Sequence, residues 1–277
     1  MRLLAIGDLH CGSLWGLTPP GYRREDAPWA DTLWRYYCEA LADNGPYDAV
    51  IANGDLIDGP GRKETDGHLT TDIGKQTRMA VTALQQTGCD RMYIIRGTGY
   101  HTDHGGALED YVADAIGAQV SDELRLEVYG RKLHVRHVVG RSDTPYGQQT
   151  QLAKEQVNDI LRGVFDEYED ADVIIRSHVH YCVRSGVADG ARGIVREAIT
   201  LPALQLRGPG GTAFTRRLRT WLYHVGITTV DIDEAGRVDI RPHIFPIRLF
   251  EKREYECLTP TQSQSRSQKK SKPALTQ

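Results

Sequence analysis

The sequence predicts an α/β fold, because short apolar runs suited to buried strands alternate with segments of helical periodicity. The first apolar run leads into Asp8 and His10. In an extended strand, residues i and i+2 point to the same side, so this spacing predicts that the carboxylate and the imidazole converge. Such a pair is half of a metal site, and neighbouring strands would supply the other half at their own carboxyl ends.

Periodicity assigns the strands and helices in order. Apolar residues at Leu33, Tyr37 and Leu41 have helical spacing, which predicts a helix over 31–41. Alternating apolar and polar residues on both sides of Gly130 predict a hairpin. The predicted strands are 1–7, 48–53, 90–96, 124–129, 132–139, 171–176, 183–188, 193–200, 228–232 and 237–246, and the other predicted helices are 71–86, 107–116 and 151–168.

Length and composition predict one domain over residues 1–258. The chain has 277 residues, of which 40% are apolar and 26% charged, an ordinary globular composition. Two loop insertions are predicted, at 11–30 and 206–222. The first is rich in Trp and Tyr, which suits either a functional lid or a loop packed on the body. Residues 259–277 are rich in Ser, Gln and Lys, which predicts a disordered tail.

Charge, cysteine content and hydropathy limit the partners and the location. The net charge of −3 argues against tight non-specific binding to duplex nucleic acid. The five cysteines have no CxxC spacing and cannot all pair, which predicts a reduced, cytoplasmic protein. No stretch approaches ~18 apolar residues, so no membrane partner is predicted. The oligomeric state stays open.

Metal-ligating residue types recur directly after the apolar runs. A single Asp or His in such a place more often caps a helix or packs structurally. Independent structural roles would rarely produce the same pattern at five successive strand ends. The sequence therefore predicts a metal centre. The five motifs are Asp-x-His at 8–10, Gly-Asp-x-x-Asp at 54–58, Gly-Thr-x-x-His at 97–101, His137 on a later strand and Ser-His-x-His at 177–180.

This ordered set resembles the calcineurin-like metallophosphoesterase superfamily, whose pattern is D-x-H, GD-x-x-D, GN-H-(D/E), a later His and G-H-x-H. The resemblance implies two packed mixed β-sheets flanked by helices. It also implies hydrolysis of phosphate esters by a metal-bound hydroxide on two divalent ions. Manganese is the predicted metal, with iron, zinc and nickel as alternatives. The implied ligands are Asp8, His10 and His180 for the first ion, His137 and His178 for the second, and Asp55 as a bridge that is also catalytic.

The third motif departs from the family pattern. Where GN-H is expected, the chain has Gly-Thr-Gly-Tyr-His at 97–101, so Thr98 replaces the amide ligand as a weaker, neutral donor. This form is similar to members from phages and prophages with GT-x-x-H. There His101 would be the general acid for the leaving oxygen, a role that suits histidine near neutral pH. Asp103 and His104 are alternatives for that role.

One ligand position has a competitor within the sequence. His134 and His137 lie three residues apart on the same predicted strand, so they point to opposite faces and only one can be a ligand. The spacing before Gly140 favours His137.

The substrate is predicted to be a phosphate ester, with nucleic acid or a nucleotide as one form of it. A phosphodiesterase or nuclease is the leading prediction, because the basic segment 206–219 and the aromatic loop 11–30 could hold phosphates and stack bases. The alternatives are a phosphomonoesterase and a non-catalytic binding or scaffold protein on a degenerate site. Predicted substrate contacts are Arg62, Lys63, Arg207 and Arg216, because cationic side chains suit phosphate.

Overall fold

The computed structural model describes residues 1–25, 27, 29–60, 67–99, 107–165, 170–206 and 223–246. The helices are α1 Trp29–Asn44, α2 Ile73–Gln85, α3 Ala107–Ile116 and α4 Pro145–Phe165, with a short 3-10 turn at Pro20–Tyr22. The strands are β1 Arg2–Ile6, β2 Ala49–Asn53, β3 Met92–Ile95, β4 Gln119–Ser121, β5 Glu123–Val128, β6 Arg131–Arg136, β7 Val173–Arg176, β8 Arg184–Asp189, β9 Ile194–Thr200, β10 Gly226–Ile232 and β11 Val238–Ile244.

These strands form two mixed sheets. The first has the order β11-β10-β1-β2-β3-β4, and the second has the order β5-β6-β7-β9-β8. Strands β1 to β4 run parallel, and β10 joins them antiparallel to β1. In the second sheet β6, β7 and β9 are parallel, with an antiparallel strand at each edge. The predicted α/β class with two packed mixed sheets and flanking helices is confirmed.

The apolar core lies between the two sheets. Leu3 and Ile51 enter it from the first sheet. Val135, Ile175 and Ile199 enter it from the second, and all five side chains are fully buried. Because alternate residues of a strand face opposite sides, the neighbouring positions are free to face the helices. The sandwich thus holds both sheets in a fixed relation at the ends where the polar motifs lie.

Helices cover the outer faces. On the second sheet, Leu152 of α4 packs with Ile174 of β7 and Ala198 of β9. On the first sheet, α1 and α3 contact the strands and α2 packs beside α3. Within the described residues, none of the helices combines the length and apolar character that a membrane span needs.

Asn53 ties the two sheets together at their carboxyl ends. It is the last residue of β2 and is fully buried. Its amide donates to the Arg136 carbonyl oxygen at 3.1 Å and to the Ser177 hydroxyl at 2.9 Å, which lie at the ends of β6 and β7. The Ser177 amide donates to the His137 carbonyl oxygen at 2.8 Å. The segments that follow β1, β2, β6 and β7 consequently meet in one place.

The loop that follows β1 packs on the body of the protein. Trp15 is 7% exposed, and its ring stacks on that of Trp29 with centroids 3.9 Å apart. The backbone of Leu14 donates to Gly67 at 2.7 Å, and Leu69 donates to Gly12 at 2.8 Å. Of the two forms predicted for this loop, the structure has the packed one, and the described residues do not form a lid with exposed aromatic rings.

Several predicted boundaries differ from the structure. Helix α4 begins at Pro145, earlier than the predicted 151, because proline is favoured in the first helical turn. Strand β6 ends at Arg136, so the prediction that His137 lies on the strand is wrong. Strand β4, with three residues, was too short to give a periodic signal. The insertion 207–222 and the tail 259–277 lie outside the described residues.

A core substitution on β9 tests the sandwich. Ile199→Ala should lower the free energy of unfolding by about 2–5 kcal/mol, because Ile199 is fully buried between the sheets and the change leaves a cavity. Val195 lies on the same strand and is 59% exposed, so Val195→Ala should change that free energy by only about 0.5 kcal/mol. Urea unfolding of the two variants measures the difference, and equal losses would contradict the assigned core.

Candidate metal centre

The residues of the first, second and fifth motifs lie on loops that directly follow β1, β2 and β7. Asp8, His10 and Asp55 have φ angles of 51°, 45° and 48°, and His178 and His180 have 72° and 55°. The prediction that strand pleat brings Asp8 and His10 together is therefore wrong, because β1 ends at Ile6 and both residues are in the left-handed region. Their side chains nevertheless converge, with His10 Nε2 3.9 Å from Asp8 Oδ1.

The first ligand group consists of Asp8, His10 and His180. One ligand atom from each lies within 4.8 Å of the others, and all three residues are buried. His180 Nε2 lies 3.3 Å from Asp8 Oδ1 and 3.3 Å from His10 Nε2. These three side chains are the ones predicted to hold the first ion.

Hydrogen bonds on the far side of each ring fix the tautomers of this group. His10 Nδ1 lies 3.2 Å from Asp58 Oδ1, and a carboxylate accepts, so Nδ1 carries the proton. His180 Nδ1 lies 3.0 Å from the Tyr223 hydroxyl. That hydroxyl donates to the Gln205 carbonyl oxygen, so it accepts from His180. Both Nε2 atoms are therefore left with lone pairs that face each other.

The second ligand group consists of Asp55, His137 and His178, again with ligand atoms within 4.8 Å of one another. His137 Nδ1 donates to the Asn53 carbonyl oxygen at 2.6 Å, which turns Nε2 toward Asp55 Oδ2 at 3.1 Å. The same Nε2 lies 3.8 Å from Asp8 Oδ1. The two groups are therefore neighbours, and Asp8 has histidines of both groups around one oxygen.

Charge within the site shifts several pKa values. Burial opposes ionisation of Asp8, but the neighbouring His180 and His137 outweigh burial and lower the pKa of Asp8 to about 2. Burial also lowers the pKa of His137, but Asp55 and Asp8 outweigh it and raise the pKa to about 10. The pKa of His178 falls, because burial and the charge of His137 both disfavour the imidazolium. The carboxylates thus stay charged and draw positive charge into the buried site.

A divalent cation fits the arrangement of donor atoms. Asp8 Oδ1 is buried and makes no hydrogen bond among the described residues. Around it, the Nε2 atoms of His10 and His180 present lone pairs when both imidazoles are neutral. Converging lone pairs and an orphaned carboxylate oxygen are costly without a cation between them. Imidazole and carboxylate donors are those that manganese, iron, zinc and nickel accept.

Two glycines leave room for the side chains of His137 and Asp55 in the second group. Gly54 has a φ of 76°, and a Cβ there would lie 2.4 Å from His137 Nδ1. A Cβ at Gly97 would lie 2.0 Å from Asp55 Oδ1. The adjacent Thr98 amide donates to Asp55 Oδ1 at 2.7 Å, and its hydroxyl lies 3.2 Å from the same oxygen. Thr98 thus holds Asp55 in position, and its role as a ligand stays a prediction.

The structure separates His134 from the site. His134 lies on β6, with Nδ1 2.8 Å from Asp159 Oδ1 and Nε2 3.3 Å from Glu123 Oε2. Asp159 belongs to α4, so this pair joins the second sheet to its covering helix. The preference for His137 over His134 agrees with this placement. Other predicted site residues lie outside the described residues, namely Arg62, Lys63, His101, Asp103, His104, Arg207 and Arg216.

Sequence analysis did not assign a role to several polar residues around the two groups. Asp58 is the last residue of the Gly-Asp-x-x-Asp motif, so its spacing was a usable signal. Tyr223 and Asn53 had none, because their partners are distant in sequence, and His68 had none, because its place depends on pairing with the distant loop after β1. Glu109, in the first turn of α3, is fully buried, and burial together with the charge of Asp55 raises its pKa to about 8.

Comparison with solved structures finds proteins whose overall fold is similar to that of this chain. No protein-family model and no curated protein matches the chain. A novel archaeal phosphodiesterase is 13% identical with a TM-score of 0.44, over 88% of this chain and 100% of its own. A metallophosphoesterase from Sphaerobacter thermophilus is 13% identical with a TM-score of 0.41, over 88% of each chain. A dimetal phosphatase from Danio rerio is 12% identical with a TM-score of 0.48, over 87% of this chain and 95% of its own. At these values the side chains of the site remain the basis for a functional conclusion.

Close packing at Gly97 gives a test of the second group. Gly97→Ala should displace Asp55 and lower the amount of bound Mn²⁺, because the new methyl group overlaps the Asp55 carboxylate and backbone nitrogen. Gly99→Ala is the matched control, since a Cβ at Gly99 meets nothing within 4 Å. Metal analysis after dialysis measures the bound ion. Full metal content in Gly97→Ala would show that Asp55 is not a ligand in this position.

Proposed function

We propose that the protein hydrolyses phosphate esters with two divalent metal ions and belongs to the calcineurin-like metallophosphoesterases. The observation that carries the proposal is the pair of adjacent ligand groups, buried except for His178 and linked by Asp8 Oδ1 at 3.3 Å from His180 Nε2 and 3.8 Å from His137 Nε2. Two neighbouring cations are the arrangement used for in-line displacement at phosphorus. The motif order around the two groups supports the same family.

Each group of side chains has a defined part in this chemistry. When bound, the two ions lower the pKa of water and neutralise charge on the phosphate oxygens. Asp8 and Asp55 would supply the negative charge that holds them, and Asp55 is proposed to serve as a ligand to both. The histidines present Nε2 lone pairs whose direction is set by their Nδ1 partners. His101 is proposed to donate the proton to the leaving oxygen.

Manganese is the proposed metal, with iron, zinc and nickel as alternatives, since all four accept a donor set of carboxylate oxygen and imidazole nitrogen. The proposed location is the cytoplasm. Its support is the cysteine content, because the five cysteines have no CxxC spacing and cannot all pair.

A phosphodiester is the proposed class of substrate, and nucleic acid is one form of it. The support is the basic composition of 206–222, together with the arginines predicted to bind phosphate. Trp15 does not contribute base stacking, because its ring is buried against Trp29. This removes one of the two reasons for a nuclease and leaves phosphate binding as the other.

Replacement of Asp55 tests the chemistry. Asp55→Asn should reduce Mn²⁺-dependent hydrolysis by more than about 100-fold, because it removes a charged ligand. Substitution of a residue that only supports a ligand usually costs less than this. Asp239→Asn is the control, since Asp239 is exposed on β11 and should keep full activity. The substrates are bis-p-nitrophenyl phosphate, a diester, and p-nitrophenyl phosphate, a monoester.

The outcomes of this assay separate the possible functions. Hydrolysis of the diester alone supports a phosphodiesterase. Hydrolysis of the monoester supports a phosphomonoesterase on the same site. No hydrolysis of either, together with no bound metal, would contradict the proposal and favour a binding or scaffold protein.

The role of His101 has its own test. His101→Ala should slow hydrolysis while bound Mn²⁺ stays at the level of the unsubstituted protein, because a general acid acts on the leaving group. The loss should be smaller with p-nitrophenyl esters than with alkyl esters, because p-nitrophenolate leaves without needing a proton. If metal analysis finds that His101→Ala has lost its ions, His101 is a ligand instead.

A further inference from the structure

A chain of three side chains leads away from the first ligand group into the body of the protein. Asp58 Oδ1 lies 3.2 Å from His10 Nδ1, and Asp58 Oδ2 lies 3.0 Å from His68 Nδ1. The side chains of His10, Asp58 and His68 are 2%, 6% and 9% exposed. Each oxygen of one buried carboxylate therefore faces a different imidazole.

The packed loop after β1 places His68 in this position. Segment 67–69 runs alongside segment 12–14, with a bridge between Ser13 and His68 and backbone hydrogen bonds on either side of it. The Trp15 ring lies against Gly67, 3.8 Å from the position of a Cβ there. The backbone at His68 is thus fixed by pairing with the loop after β1, and the Trp15 ring packs beside the preceding residue.

We propose that His68 is a positioning residue for the first metal ion, acting through Asp58 and His10. This rests on the proposed function, since it requires that Asp8, His10 and His180 hold an ion. With His68 on one oxygen, the other oxygen stays aimed at His10 Nδ1, which keeps the Nε2 lone pair directed at the ion. An anionic acceptor behind a ligating histidine also raises its basicity.

A similar pair elsewhere in the molecule provides a contrast. His134 Nδ1 lies 2.8 Å from Asp159 Oδ1, and Asp159 Oδ2 accepts from the Ala171 amide at 2.6 Å. The side chains of His134 and Asp159 are 1% and 4% exposed, which is similar to the 9% and 6% of His68 and Asp58. The His134–Asp159 pair, however, lies between β6 and α4 and contacts no ligand residue. Its loss should therefore affect stability without changing metal affinity.

The test measures Co²⁺ affinity in the full chain by visible absorption. His68→Leu should weaken binding at the first group by about 10–100-fold, the range typical of outer-sphere substitutions. His68→Asn should restore much of the affinity, because its amide nitrogen occupies the position of Nδ1 and can donate to Asp58. His134→Leu is the matched control, because it removes the contact with Asp159 outside the ligand groups, and it should leave both affinities unchanged. His178→Ala, which disables the second group, identifies the affinity that belongs to the first.

The outcomes distinguish this inference from the proposed function. A weaker first affinity in His68→Leu, rescued in His68→Asn, supports it. An unchanged first affinity in His68→Leu overturns it, as does an equal loss in His68→Leu and His134→Leu, because that pattern reports general destabilisation. If the unsubstituted protein binds no Co²⁺, the proposed metal centre itself is wrong. If that protein binds Co²⁺ normally and His68→Leu does too, only the role of His68 is lost.

Discussion

Five side chains around the metal centre stand on backbone in the left-handed region. Asp8, His10, Asp55, His178 and His180 have φ angles between 45° and 72°, and one other non-glycine residue in the described part of the chain has a positive φ. Each such residue costs on the order of 1–2 kcal/mol, because its Cβ crowds the following carbonyl oxygen. Strain of this kind persists only where the surroundings fix it, and it is concentrated at functional sites. Here it turns ligands from successive loops toward one point.

Backbone pairing across the ends of the sheet fixes the strained loops. The amide of Asp8 donates to the Gly54 carbonyl oxygen at 3.0 Å, and that of His10 donates to Asp55 at 3.0 Å. The parallel pairing of β1 with β2 thus continues beyond the strands into the ligand loops. The amide of His178 donates to Asp8 Oδ2 at 3.0 Å, which joins the second sheet to the first. The sandwich core beneath these bonds keeps the loops in register, so the site depends on both sheets.

The parts of this structure that follow local rules could be predicted from the sequence. Strand–helix alternation, the hairpin at Gly130 and helix α3 depend on residues that are neighbours in the chain. The motif order also pointed to the side chains that converge. The sequence did not indicate what lies behind them, because His68 reaches its position by pairing with the loop after β1, and Tyr223 meets His180 across 43 residues of chain. Nor could periodicity reveal the left-handed backbone at Asp8 and His10. That backbone, rather than the pleat of a strand, brings their side chains together.

The two ligand groups differ in what stands behind their histidines. In the first, His10 donates to the carboxylate of Asp58 at 3.2 Å. In the second, His137 donates to the neutral carbonyl of Asn53 at 2.6 Å, and the neutral Thr98 lies beside Asp55. A charged acceptor increases the basicity of a ligating imidazole more than a neutral one does. The first group therefore has a charged acceptor behind a ligand histidine, while the second has a neutral one and depends on Asp55 for its charge. This asymmetry arises from Asp58 and Asn53, which accept hydrogen bonds from the histidines and are not members of either ligand group. It makes the two halves of the centre chemically distinct.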